Sequence, residues 1–149
     1  EYHVAWRVTF EPGDVRVAAR KNGKVVAEKS LKTAGAPHHI RLTPNRQVIK
    51  ANGRSLLFVT VEVVDKDGNL CPWAENNILF SLTGEAKIAG VDNGSPFSLE
   101  RFQAHERRAF FGKCLVVVQA GKSPSAVRLT AKSVGLAPQT IVINTVDAR

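Results

Sequence analysis

The 149-residue sequence contains no methionine and only two cysteines. Because it begins at Glu1 without an initiator, we expect it to be part of a longer protein. Cys71 and Cys114 do not have the spacing of a zinc site. Cys114 alternates with Val116 and Val118 and is predicted to fill a core, whereas Cys71 precedes a proline in a loop. A disulfide between the two cysteines, as in exported proteins, is the alternative.

Long apolar runs are also missing. No stretch approaches the ~20 apolar residues of a membrane-spanning helix, and no charged, apolar and small-residue succession marks a signal peptide. We therefore predict no membrane span, and we expect any targeting signal to lie upstream of this sequence.

Aromatic residues make up only 7% of the chain, although the net charge is +8. The charge is uneven, since residues 1–54 carry eleven Lys and Arg against four Asp and Glu. A basic segment can indicate a polyanionic partner. Nucleic-acid-binding proteins, however, usually add aromatic stacking platforms or a recognisable motif. Here the basic residues alternate singly with Val and Ala, which is typical of the solvated face of a strand, so no nucleic-acid partner is predicted.

Apolar and polar residues alternate with a period of two through most of the sequence, which is typical of β-strands. The stretches DVRVAARK and KVVAEKSL flank Asn22-Gly23, and both residues tolerate positive φ in a tight hairpin turn. In SLLFVTVEVV one face is predicted to be apolar, and it consists of Leu57, Val59, Val61 and Val63. Pro44 interrupts HHIRLTPNRQVIK, as expected for an edge strand or a strand that changes sheet.

The spacing of the predicted strands indicates an all-β fold. From about residue 43 onward, seven or eight short strands alternate with clusters of Gly, Pro, Ser and Asn, at the roughly 8–12-residue spacing of a β-sandwich. Residues 1–42 provide three or four strands, which is half a sandwich. We therefore predict an immunoglobulin-like antiparallel β-sandwich at residues 43–149, preceded by a partial β-sandwich, or hairpin, segment at residues 1–42.

The polar clusters do not predict a catalytic or metal centre. DKDGN, from Asp65, has neither the Gly nor the Glu positions of a helix-loop-helix calcium loop and is predicted to be a turn. His38 and His39 are neighbours on an extended segment, so their side chains are predicted to point to opposite faces. Glu100 and Glu106 lie among arginines, where carboxylates stay ionised and solvated, which is unsuited to the general acid of a glycosidase. We predict no catalytic residue, no metal ligand and no cofactor.

Two loops contain candidate functional residues. Trp73, in CPWAEN, is an aromatic residue on a predicted loop, where it is either a carbohydrate-stacking residue or a partly covered anchor. IAGVDNGSP is predicted to be a strand-ending turn. In that turn Asp92 or Asn93 bonds to neighbouring backbone amides, and Gly94 permits positive φ.

Three stretches together resemble the C-terminal region of bacterial β-galactosidase-like enzymes of glycoside hydrolase family two. WRVTFEPGDVRVAARKNGKVVAEKSLKTAGAP is similar to the end of a fibronectin-like domain in that family. FVTVEVVDKDGNLCPWAENNILFSLTGEAKIAGVDNGSP and RRAFFGKCLVVVQAGKSPSAVRLTAKSVGL are similar to the bacterial immunoglobulin-like domain that follows it. Where the family commonly has a Val-Pro-acid loop and an Asp after DNG, this sequence has Cys71–Trp73 and Ser95.

The resemblance implies a non-catalytic accessory module of an exported glycosidase, located in the periplasm or at the cell surface of a bacterium. The catalytic glutamates would belong to a (β/α)₈ barrel upstream, and none of them falls on this sequence. Its partners would be the other domains of the same chain, with a carbohydrate or a second copy of the chain left open. The alternative is a free-standing immunoglobulin-like module for adhesion or carbohydrate binding.

The N-terminal segment is expected to need a covering partner. A sheet of two or three strands is marginal in water unless its apolar face is covered. The apolar residues available to that face are Trp6, Phe10, Val15 and Val17. We therefore expect residues 1–42 to be ordered only where another part of the protein, or a second copy, packs on them.

Overall fold

The computed structural model describes residues 3–148, which form eleven β-strands. The strands are β1 (Asp14–Lys21), β2 (Lys24–Lys32), β3 (His39–Pro44), β4 (Val48–Lys50), β5 (Leu56–Val64), β6 (Asn77–Thr83), β7 (Ala86–Asp92), β8 (Glu106–Arg108), β9 (Lys113–Ala120), β10 (Ala126–Lys132) and β11 (Gln139–Val146). A membrane-crossing helix is absent from residues 3–148. The predicted all-β fold class is confirmed.

The chain divides into two compact units between Thr33 and Ala34, rather than after residue 42. Three strands begin within residues 3–42, and the third of them, β3, pairs with β5 in the second unit. The assignment of the first unit to the end of a fibronectin-like domain stays a prediction.

The first unit is a single antiparallel hairpin of β1 and β2. Asn22 (φ 52°) and Gly23 (φ 77°) connect the two strands. Positive φ at both central residues is the type I′ geometry that matches the twist of a two-residue hairpin. The sequence dictates this turn locally, because Asn and Gly adopt positive φ at little cost.

The hairpin leaves its apolar face uncovered. Val15 lies opposite Leu31, and Val17 is on the same face. Beside this face, a groove of about 710 Å³ is lined by residues that include Val8 and Phe10. Every described residue up to Lys32 is exposed. That the hairpin needs a covering partner stays a prediction.

The second unit is a β-sandwich with one sheet in the order β4-β11-β10-β6-β8 and another in the order β3-β5-β9-β7. β4 pairs with β11 in parallel, and the other pairs of named strands in residues 3–148 are antiparallel. β3 belongs to one sheet and β4 to the other, so the chain changes sheet after Pro44, as predicted.

The core lies between the two sheets and consists of the inward faces of the alternating strands. The predicted apolar face of β5 is confirmed, because Leu57, Val59, Val61 and Val63 are buried. The inward residues of β9 continue the same wall, and Ile78 on β6 and the inward residues of β10 form the opposite wall. Polar residues on the other faces remain in contact with water.

One end of the sandwich carries three connections that bear on function. Strand register places the end of β5, the start of β6, the end of β7 and the start of β9 at this end. The connections are the β5–β6 loop (residues 65–76), the β7–β8 loop (residues 93–105) and the β8–β9 turn (residues 109–112). We call these three connections together the loop end.

Candidate functional site

Hydrogen bonds tie the three connections of the loop end to one another. Asn93 Nδ2 donates to the Arg108 carbonyl at 2.9 Å, which joins the β7–β8 loop to β8. The Gly112 amide donates to the Ala74 carbonyl at 3.0 Å, which joins the β8–β9 turn to the β5–β6 loop. Glu75 also lies 4.0 Å from Arg108. The loop end is therefore one connected surface.

The turn after β7 is organised by its own side chains. Asp92 Oδ1 accepts from the amide of Asn93 at 2.7 Å and from that of Gly94 at 3.2 Å. Asn93 Oδ1 accepts from the Ser95 amide at 3.0 Å, and Gly94 has a φ of 70°. These are bonds within a turn, and they occupy Asp92 Oδ1 and Asn93 Oδ1.

Arg107 anchors the β7–β8 loop from beneath. Its side chain is 1% exposed. Nη2 donates to the carbonyls of Val91 at 2.9 Å and Arg101 at 2.8 Å, and Nη1 donates to Ser98 Oγ at 3.3 Å. Nη1 also lies 3.6 Å from Glu100 Oε2. A guanidinium with several donors in a fixed fork can hold several carbonyls at once, so it fixes the path of the loop.

Arg107 lies in the charged stretch that contains Glu100 and Glu106, but its own side chain is buried. Buried arginines are rare unless paired, and this one is paired mainly with backbone carbonyls. In the structure Arg107 stands between exposed Glu106 and exposed Arg108 and is followed on the same side by buried Ala109. Because residues 106–108 are all charged, the sequence shows no apolar alternation that could have revealed it.

The loop held by Arg107 carries large apolar side chains into solvent. Phe97 is 87% exposed and Leu99 is 99% exposed. Both line a groove of about 430 Å³, together with Phe110 and the polar residues around it. The ring of Phe110 lies 4.4 Å from that of Phe111, which is itself 65% exposed. We call Phe97, Leu99, Phe110 and Phe111 the loop-end patch.

Phe111 has an unusual backbone conformation. It occupies the first central position of a tight turn with a φ of 49°, and Gly112 follows with a φ of 74°. Phe110 and Lys113 exchange backbone hydrogen bonds across the turn at 2.8 and 3.0 Å. A bulky residue at positive φ is an outlier that carries a conformational cost. The exposed phenyl ring is therefore held at a position that Asn or Gly would fill with less strain.

Trp73, the predicted carbohydrate-binding residue, lies in the β5–β6 loop of this same end and is 56% exposed. Its neighbour Ala74 is buried and bonded to the β8–β9 turn, so the loop backbone beneath the ring is fixed. A sugar contact at Trp73 stays a prediction.

The two glutamates considered for catalysis are engaged in local contacts. Glu100 Oε1 accepts from the Arg108 amide at 3.1 Å and its Oε2 from Ser98 Oγ at 2.9 Å. Glu106 Oε2 accepts from Asn77 Nδ2 at 2.8 Å. Carboxylates held this way stabilise the loop and the edge strand, which is a structural use of both groups.

Asp65 is the most heavily bonded carboxylate of the loop end. It is 2% exposed and accepts from Asn69 Nδ2 and from the amides of Gly35, Asp67 and Asn69. These hydrogen bonds, that from Asn69 first, hold the pKa of Asp65 well below its usual range. The carboxylate closes the DKDGN turn and ties residue 35 to it.

Metal-ligand clusters are not found among residues 3–148. The prediction that His38 and His39 point to opposite faces is wrong, because their rings lie edge to face at 5.4 Å and their Nδ1 atoms are 3.2 Å apart. The reason is that His38 precedes β3 and so lies outside the pleat that would alternate the two side chains.

Cys71 and Cys114 are both buried free thiols, so the alternative of a disulfide between them is wrong. Burial raises the pKa of Cys114 to about 12. Burial, with a smaller contribution from the charge of Asp65, also raises the pKa of Cys71. Both groups are therefore neutral at physiological pH. Cys114 fills the core, as predicted, and Cys71 lies in the β5–β6 loop, as predicted, with its side chain buried.

Comparison with known families places this arrangement in context. Residues 40–142 match the family model described as glycoside hydrolase family 2 C-terminal domain 5, and residues 1–27 match a domain of unknown function. A β-galactosidase of Bacteroides ovatus is 56% identical over 142 residues, which is 95% of this chain and 17% of that protein. The chain thus spans about a sixth of the length of this relative.

Solved structures agree with this match. The crystal structure of a glycosyl hydrolase family 2 member from Bacteroides cellulosilyticus superposes with a TM-score of 0.91 at 35% identity, over 95% of this chain and 18% of that one. The D00–D0 domain of intimin gives a TM-score of 0.56 at 16% identity, over 92% of this chain and 66% of that one, and shows similarity of fold alone.

Proposed function

Because the chain belongs to glycoside hydrolase family 2, where it matches C-terminal domain 5, we propose that it is the non-catalytic accessory part of a glycosidase of the β-galactosidase type. The observation that carries the proposal is the match over residues 40–142, combined with coverage of only 17% of the B. ovatus β-galactosidase. Most of the length of such a protein lies outside this chain, and so would the barrel with its two catalytic glutamates.

The local chemistry supports a structural role for this part. Glu100 and Glu106 are committed to neighbouring backbone and side-chain groups. A glycosidase needs two carboxylates on opposite sides of one sugar, roughly 5–10 Å apart, with the pKa of one raised. The accessory part would therefore support the packing or spacing of the other domains. We also propose that the protein is exported, since a glycosidase acting on plant or host glycans meets its substrate outside the cytoplasm.

The proposal is tested by expressing the full-length protein and this 149-residue chain separately, and by assaying both with nitrophenyl β-galactoside and β-glucuronide. We expect turnover by the full-length protein and none by the chain. A coding sequence without a barrel carrying two catalytic glutamates upstream would refute the accessory role.

A free-standing carbohydrate-binding or adhesion module is the second candidate. One observation favours it: Trp73 is exposed on a loop whose backbone is fixed. Glycan-array binding by the isolated chain that is lost in Trp73→Ala would support this candidate. We expect no such binding if the chain serves only its own polypeptide.

A further inference from the structure

The loop-end patch is apolar, exposed and held in place from several directions. Its Phe97 and Leu99 project from the loop that Arg107 bonds at the Arg101 carbonyl and at Ser98 Oγ. Its Phe111 lies in a turn closed by backbone hydrogen bonds on both sides. Contiguous exposed apolar surface on a soluble protein marks a contact site, and a fixed loop loses little entropy when it docks.

The polar groups around the patch argue against a sugar as its occupant. Carbohydrate sites combine a flat aromatic ring with free donors and acceptors for the sugar hydroxyls. Here Nδ2 and Oδ1 of Asn93 both form hydrogen bonds within the protein. Ser98 Oγ donates to Glu100, and both Glu100 oxygens accept local hydrogen bonds. What the patch offers instead is a nearly fully exposed leucine and phenyl rings, which suit an apolar protein surface.

The size of the patch argues against a second copy of the chain. At roughly 150–250 Å² for each large apolar side chain, the exposed parts of Phe97, Leu99 and Phe111 amount to about 400–600 Å². A stable interface between separate molecules takes about 800 Å² from each partner. A tethered domain needs less, because the linker supplies an effective concentration on the order of millimolar.

We propose that the loop-end patch is the surface by which this unit docks on an apolar surface of another domain of its own polypeptide. This inference rests on the proposed function, and it decides between packing and spacing in favour of packing. The chain covers only 17% of the B. ovatus β-galactosidase and 18% of the B. cellulosilyticus structure, so most of each relative consists of other segments that could provide the partner domain. Arg107 acts as a positioning residue, because it holds the loop in the docking conformation.

Hydrogen exchange tests the proposal in the full-length protein. We expect amides of residues 97–102 and 110–112 to exchange at least about tenfold more slowly in the full-length protein than in the isolated chain, because docking excludes water from them. The double variant Phe97→Ser/Leu99→Ser in the full-length protein should remove that difference. Both side chains are exposed, so the variant is expected to keep the urea midpoint of the isolated chain.

The matched control is Val134→Ser. Val134 is 91% exposed on the β10–β11 loop and does not line the groove, so its replacement should leave the protection intact. Equal exchange rates of residues 97–102 and 110–112 in the full-length protein and in the isolated chain would overturn the proposal. The proposal would also be overturned if the isolated chain formed a concentration-dependent dimer, or bound glycans, and the double variant abolished that dimer or that binding.

Failure of the docking proposal and failure of the proposed function are distinguishable. A full-length protein that hydrolyses aryl glycosides without protection at residues 97–102 refutes docking and leaves the accessory function standing. Protection in a full-length protein that hydrolyses none of them refutes the glycosidase assignment and supports docking.

Discussion

Replacing Arg107 by Met should destabilise the sandwich strongly although it changes a residue of the edge strand β8. The variant keeps an unbranched apolar stem and removes the guanidinium. The carbonyls of Val91 and Arg101 then lose donors that lie 2.9 and 2.8 Å away. The cation also sits 5.4 Å from the centroid of the Phe102 ring, so a cation–π contact is lost with it.

The expected loss follows from these contacts. A hydrogen bond to a charged group contributes about 1.5–3 kcal/mol, so the two short bonds from Nη2 are together worth roughly 3–6 kcal/mol. Arg107 Nε has no partner among the described residues, and removing that unsatisfied donor returns about 1–3 kcal/mol. The free energy of unfolding should therefore fall by about 2–3 kcal/mol.

Urea unfolding of the isolated chain, followed by far-UV circular dichroism, measures this loss. Arg108→Met is the control, because Arg108 is the next residue but its side chain is 62% exposed and lies 4.0 Å from Glu75. An exposed ion pair contributes little, so this control should lose no more than about 0.5 kcal/mol. Equal losses in the two variants, or a loss below about 1 kcal/mol for Arg107→Met, would refute the reasoning.

Three further predictions concern the same end of the sandwich. Gly112→Ala should cost about 3 kcal/mol or more in unfolding free energy, because a Cβ there would lie 2.2 Å from the Cys71 carbonyl oxygen. The control Gly135→Ala, at a similar φ of 76° with open space around it, should cost only about 1 kcal/mol. A lower urea midpoint for Gly135→Ala than for Gly112→Ala would contradict the clash. Because the pKa of Asp65 is lowered in the folded chain, its contribution to stability is complete above the unfolded-state pKa of about 4 and is lost as the pH falls below it. Urea midpoints measured over a pH series should therefore drop below about pH 4, and the drop should be smaller in Asp65→Asn. The same drop in both proteins would be evidence against this role. Cys114 and Cys71 should stay unmodified by a thiol reagent at pH 8 until urea unfolds the chain, since both are buried with raised pKa values; rapid labelling of the native chain would show that one of them is accessible.

The strands could be predicted where local pattern decides the structure. The inward face of β5 follows from period two alone, as Leu57 and Val63 show. Because proline lacks an amide donor, Pro44 predicted an edge strand or a change of sheet; β3 is an edge strand, and the chain changes sheet after it. The hairpin turn at Asn22-Gly23 has the backbone angles that these two residue types favour.

The loop end could be predicted only in part, because its organisation depends on contacts between distant segments. Arg107 is stabilised by carbonyls that lie six and sixteen residues away in the sequence, and no local pattern indicates contacts at those separations. The turn at Phe111 was missed because phenylalanine seldom adopts positive φ. The three-residue strand β8 is too short for a periodic signal to show.

The claim that catalysis lies outside this chain is tested most directly in the full-length protein. The paired variant Glu100→Gln/Glu106→Gln should keep the kcat for an aryl β-galactoside within about twofold of the parent, because neither carboxylate touches the reacting sugar. A fall in kcat of about a hundredfold or more, in a variant whose hydrogen-exchange pattern is otherwise that of the parent, would contradict the account and place part of the active site on this chain.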